Sequence, residues 1–193
     1  MFLRGDAMFA TDQRIERAIL MRHSISILAL ALVACGKPPQ ASVEASQYVL
    51  RNGAGAEVGG ITIRERPPVI QLRIRVQGLP PGQHGMHLHE VGRCEGPGFQ
   101  TAGGHLNPVK SMHHGHKNPQ GPHLGDLGNL RVTQDGRGDV TVEVGGTEAR
   151  MGARTFLGLG DNGIALVIHA DRDDELTDPS GSSGARIACA ELR

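Results

Sequence analysis

The chain has 193 residues, with 20 Lys and Arg balanced by 20 Asp and Glu, so it carries no electrostatic footprint for nucleic acid. That length allows one domain plus extensions and leaves little room for a second catalytic domain. Aromatic residues make up 3% and Trp is absent, which disfavours an immunoglobulin-type sandwich built round a buried tryptophan and leaves Val, Ile and Leu to fill the core.

Residues 1–20 show no core pattern. Met21-Arg22-His23 followed by the apolar run Ile25 to Ala34 reads as a secretory signal, since that run is too short to span a bilayer. It ends in Leu32-Val33-Ala34-Cys35, which resembles the bacterial lipobox, where the cysteine is lipidated and becomes the first mature residue. Lys37-Pro38-Pro39-Gln40 would break any helix and suits a tether. The expected organisation is upstream residues and signal in 1–34, a lipidated tether in 35–46 and a folded domain in 47–193. The mature protein is then expected in the bacterial periplasm, held to the membrane by its lipid anchor.

From about Gln47 the pattern becomes that of strands. Ile70, Leu72, Ile74 and Val76 alternate with Gln71, Arg73, Arg75 and Gln77, the signature of a half-buried strand. Further short strands are predicted at Tyr48 to Arg51, Gly60 to Glu65, Gly85 to Glu90, Gly128 to Thr133, Asp139 to Val144 and Ile164 to Ala170. Asp135-Gly136 is a hairpin-turn signal. No segment after Pro39 has a long amphipathic helical period. The predicted fold class is therefore all-β, an antiparallel Greek-key sandwich or flattened barrel, with functional loops at 92–126 and 171–185. If Cys35 is lipidated, Cys94 and Cys189 remain in an oxidising compartment and are expected to form a disulfide. Closing so long a loop stabilises by roughly 4 kcal/mol in the chain-entropy account.

The chemistry is concentrated between His84 and Asp126, which hold eight of the ten histidines: His84, His87, His89, His105, His113, His114, His116 and His123. His87-Leu88-His89 has the spacing that places two imidazoles on one face of a strand, within reach of one ion. His105 sits in a Gly/Pro-punctuated loop, and His123-Leu124-Gly125-Asp126 adds imidazole and carboxylate. Mixed nitrogen and oxygen donors suit zinc or copper. A metal-scavenging surface tract would not show such ordered spacing.

Several separated segments agree on one family. His84-Gly85-Met86-His87-Leu88-His89 with Cys94, Gly103 to Pro108, Gly121 to Leu127, Leu166-Val167-Ile168-His169, and Asp178-Pro179-Ser180-Gly181 through Cys189 together resemble copper/zinc superoxide dismutase, in order, over about Gln47 to Leu192. The resemblance implies dismutation of superoxide to molecular oxygen and hydrogen peroxide, by a redox-cycling copper beside a histidine-bridged structural zinc. Copper would be held by His87, His89, His105 and His169, and zinc by His105, His114, His123 and Asp126. His113 is the rival to His114, which is favoured because it is followed directly by Gly when counting back from His123.

The resemblance also makes His84 a packed, hydrogen-bonded histidine. It makes Asp173 a carboxylate that hydrogen-bonds one copper and one zinc histidine, and Arg186 a guanidinium beside the open side of copper. It is compatible with a homodimer. Dismutase-like domains that bind metal without turnover lack some of these ligands, whereas all are present here. Four basic and three acidic residues precede Cys35, leaving 16 and 17, so attraction of the superoxide anion must be local.

Overall fold

The structure, a computed structural model, describes residues 46–66, 69–145 and 156–193. The signal, the expected lipidation site Cys35 and nearly all of the tether lie outside the described residues. Eight strands follow one another: β1 (Ser46–Asn52), β2 (Glu57–Arg66), β3 (Val69–Val76), β4 (Gly82–His89), β5 (Asp126–Val132), β6 (Gly138–Val144), β7 (Ile164–His169) and β8 (Arg186–Leu192). All pair antiparallel in one sheet of order β5-β4-β7-β8-β1-β2-β3-β6. The sheet curls into a nearly closed barrel, so the all-β antiparallel expectation holds.

Alternation decides which face of each strand turns inward. Ile70, Leu72, Ile74 and Val76 of β3 are buried against Ile61 and Ile63 of β2, while Arg73 and Arg75 stay exposed. Strands β4 and β7 differ, because Gly85–His89 and Ile164–His169 are buried on both faces. Met86, Leu88, Leu166 and Ile168 belong to the barrel core. The opposite face, which carries His87 and His89 of β4, is covered by the β4–β5 and β7–β8 loops.

Two devices hold those loops down. A second apolar cluster, Phe99, Ala102, Ala165, Val167 and Cys189 with Cys94 against it, seats the β4–β5 loop on β7 and β8. Cys94 and Cys189 are joined as a disulfide, their Cα atoms 5.8 Å apart. The loops also grip each other, with the Lys117 N–H donating to the Glu175 carbonyl at 2.9 Å. Gly115, at φ 96°, passes so close that a Cβ would stand 2.1 Å from the Glu175 oxygen, so only glycine fits there.

The Asp135-Gly136 turn forms, with the Thr133 N–H on the Arg137 carbonyl at 2.8 Å and the Gly136 N–H on the Thr133 carbonyl at 2.9 Å. The strands it joins are not a hydrogen-bonded pair. β5 pairs with β4 and β6 with β3, so the turn links the two edges of the sheet at the seam of the barrel.

Candidate metal centre

His87 and His89 come from β4, His169 from the end of β7, and His105 from an isolated bridge that pairs it with His89. One ring nitrogen of each lies within 4.8 Å of those of the other three. In every case the other nitrogen is already engaged. His89 Nδ1 donates to the Gly103 carbonyl at 2.9 Å, His169 Nδ1 to the Gly184 carbonyl at 3.1 Å, and His87 Nε2 to Asp173 Oδ2 at 2.8 Å. His105 Nδ1 faces Asp126 Oδ1 at 2.9 Å. What remains is His87 Nδ1, His89 Nε2, His105 Nε2 and His169 Nε2, all buried and all without a hydrogen-bond partner. Orphaned buried polar atoms are costly, and four imidazole lone pairs converging on one point are the donor set a copper ion takes.

A second point of convergence lies on the far side of His105. Asp126 Oδ1 is 2.9 Å from His105 Nδ1, 3.0 Å from His114 Nδ1 and 3.4 Å from His123 Nδ1. Four ligands at zinc's usual bond lengths stand about 3.3 Å apart along a tetrahedron's edges, and these separations lie within a few tenths of an ångström of that spacing. Asp126 Oδ2 is turned away and locked by the N–H groups of Gly115 at 2.8 Å and His123 at 3.0 Å. Distances alone also group His87 with His105, His114 and Asp126. His123 fits the fourth place better, because its Nδ1 is a buried orphan while His87 directs its free nitrogen to the other group.

Asp173 joins the two groups from behind. It is buried, and its second oxygen accepts from His114 Nε2 at 3.0 Å while the first holds His87. His113 turns outward instead, its Nδ1 2.5 Å from Asp178 Oδ2, and the other Asp178 oxygen accepts the His114 backbone N–H at 2.7 Å. His84 lies apart from both groups, its two ring nitrogens each 2.8 Å from a carbonyl oxygen, those of His169 and Pro80. Arg186 donates to the carbonyls of Phe99 and Gly103, both at 2.7 Å, and is half-buried. The Gly103 oxygen therefore serves Arg186 and His89 together.

Burial sets the charge state of these groups. It pushes His87 down to about 3 against the pull of Asp173, and His169 down to about 4. His89 and His105 are lowered for the same reason. All four imidazoles are thus neutral near pH 7, as metal ligation requires. At His114 burial acts downward too, but the carboxylates of Asp126 and Asp173 outweigh it and raise the ring to about 9. Both carboxyls lie well below their ordinary range despite burial, because the histidine hydrogen bonds favour the charged form. Burial also lowers Arg186, which remains a cation at any relevant pH.

The structure thus brings His87, His89, His105, His114, His123, His169, Asp126 and Asp173 together, with Arg186 beside them and His113 outside. Sequence reasoning missed His116, whose Nε2 donates to the Asp126 carbonyl at 3.0 Å, and the double role of Asp178. It also missed the carbonyls of Phe99, Gly103 and Gly184, because any residue carries a carbonyl and no side-chain signal marks where it points.

The sequence profile of the copper/zinc superoxide dismutase (SODC) family matches residues 58–192. A superoxide dismutase-like protein of Bacillus subtilis is 39% identical over 86% of this chain and 92% of its own. The copper/zinc superoxide dismutase of Caulobacter vibrioides is 36% identical over 75% of this chain and 83% of its own. The crystal structure of a SOD-like protein from Bacillus subtilis superposes with a TM-score of 0.70 at 40% identity, covering 78% of this chain and 100% of the other.

Proposed function

The chain belongs to the copper/zinc superoxide dismutase family, oxidoreductases that use copper and zinc, and from that premise we propose that its two histidine groups are the copper and zinc sites of a working dismutase. The observation that carries the reading is the set of buried, unpartnered ring nitrogens on His87, His89, His105, His169 and His123. His87, His89, His105 and His169 hold copper; His105, His114, His123 and Asp126 hold zinc.

When bound, copper supplies one-electron chemistry, alternately oxidising one superoxide to molecular oxygen and reducing a second to hydrogen peroxide, while zinc supplies a fixed charge. The residues do the rest. His89 and His169 are held to one tautomer by backbone carbonyls and His87 by Asp173, which keeps their metal-facing nitrogens unprotonated, while Asp173 orients the His114 ring through Nε2. His105 would carry one of the two protons that hydrogen peroxide needs, at Nε2 while that nitrogen is free of copper, and water would supply the other. Arg186 borders the copper group and draws the anion over the last few ångströms, since the chain has no net field to gather it.

The test is metal analysis of the purified protein beside a superoxide assay. One copper and one zinc per chain with turnover are expected. Both metals without turnover would make it a metal-binding domain, and zinc alone would remove the copper half of the reading.

We also propose that the mature protein is a periplasmic lipoprotein anchored through Cys35, supported by the signal-like run before it and the Pro-containing tether after it. The Cys35→Ser protein is expected in the soluble fraction; its persistence in washed membranes would exclude the anchor.

A further inference from the structure

We propose that Phe99 is a positioning residue for Arg186, the buried side chain that fixes a left-handed turn whose carbonyl holds the guanidinium. This rests on the reading of Arg186 as the group that meets the anion. Phe99 stands at φ 54° and ψ 28°, one residue before a short 3-10 turn, Gln100–Ala102. An aromatic residue is uncommon in that region, and the conformation costs energy that something else must supply. The ring supplies it, being 2% exposed in the cluster with Ala102, Ala165, Val167 and Cys189.

The consequence is seen at the backbone. The Phe99 carbonyl accepts the Ala102 N–H at 3.2 Å, which closes the turn, and Arg186 Nη1 at 2.7 Å, which reaches across from β8. The same turn delivers Gly103, whose carbonyl takes Arg186 Nη2 at 2.7 Å and His89 Nδ1 at 2.9 Å. Both contacts that aim the guanidinium therefore come from the two ends of one five-residue turn, 99–103. Within that turn the apolar anchors are the ring of Phe99 and the methyl group of Ala102, and the ring is much the larger.

Phe99→Leu and Phe99→Ile separate turn geometry from mere bulk, since the two side chains are isomers. Leucine tolerates a positive φ far better than the β-branched isoleucine, for which it is a true outlier. Two readouts are taken on the holoprotein with the disulfide intact: the rate at which phenylglyoxal modifies Arg186, followed by peptide mapping, and azide affinity from the copper absorption. The modification rate is repeated on metal-free protein.

The isoleucine variant is expected to be modified several-fold faster than the leucine variant, because a branched Cβ adds to the cost of left-handed backbone that both isomers bear. Azide affinity should weaken in step, while the leucine variant stays near the parent. Equal Arg186 reactivity in the two isomers, whether fast or slow, overturns the proposal. Arg186→Ala is the control on the underlying reading. If it keeps the parent's azide affinity, Arg186 is not the anion-meeting group, while the phenylglyoxal comparison still decides whether Phe99 positions it.

Discussion

Asp173→Ala removes the one carboxylate that touches both histidine groups. It deletes the bonds to His87 Nε2 at 2.8 Å and to His114 Nε2 at 3.0 Å, together with one from the Glu175 N–H at 2.6 Å. The two rings do not depend on it equally. Both rings are fully buried, but His87 lies within β4, in register with Val167 of β7 and Asp126 of β5, so strand pairing on both sides keeps it aimed. His114 belongs to the β4–β5 loop, where Asp173 is the one side chain on its outer nitrogen. Loss of such a partner lowers metal affinity about 10- to 100-fold, or ~1.4–2.7 kcal/mol. That whole loss is expected at the zinc group, with copper weakened by less than about threefold, because the ordered strand already holds His87. The assay is competition of each metal against a chelator of known affinity, with circular dichroism of the metal-free variant to show that it folds. Copper lost as readily as zinc, or zinc retained at the parent's affinity, would refute the reasoning.

His114→Ala should abolish tight zinc binding and leave copper largely in place. His113→Ala removes only a half-exposed pair with Asp178, worth ~0–1 kcal/mol, so its zinc affinity should change by no more than about fivefold; the reverse order would move the ligand by one residue. The metal-free protein should lose stability as pH falls from 6.5 toward about 4 and then about 3, because His169 and His87 stay neutral when folded but take up a proton when unfolded. Each such group tilts stability by up to ~1.4 kcal/mol per pH unit in that window. His114, raised to about 9, acts with the opposite sign and only above pH 6.5. Identical urea midpoints at pH 7 and pH 5 would contradict the account.

Much of this was legible in the chain itself, for physical reasons that differ from segment to segment. The alternation of Ile70, Leu72, Ile74 and Val76 marks β3 because one of its faces meets water and the other does not. β4 was readable only from Gly85, because Gly82 and Gln83 at its start are exposed and carry no pattern. The partner strands of β5 and β6 were hidden for another reason. A turn signal reports local backbone geometry, whereas pairing to β4 and β3 is settled by contacts far along the chain. The same limit left His113 and His114 as rivals: spacing offered both, and it is Asp178, over sixty residues away, that takes one ring outward and caps the other's backbone.

The pattern of engaged nitrogens also sets His105 apart from its neighbours under the proposed assignment. His87, His89 and His169 each spend their second nitrogen on an oxygen of the protein, Asp173, Gly103 or Gly184. A ring held that way is fixed in one tautomer, and burial drives all four imidazoles, His105 included, toward neutrality. His105 differs in that its second nitrogen faces Asp126 Oδ1, inside the proposed zinc group. A zinc ion held there would anchor the ring from that side, so that Nε2 would be the nitrogen left to exchange a proton without the ring losing its place. Asp126 fixes the geometry on that side by dividing its work: Oδ2 is spent on the backbone N–H groups of Gly115 and His123, so Oδ1 stays fixed opposite three imidazoles.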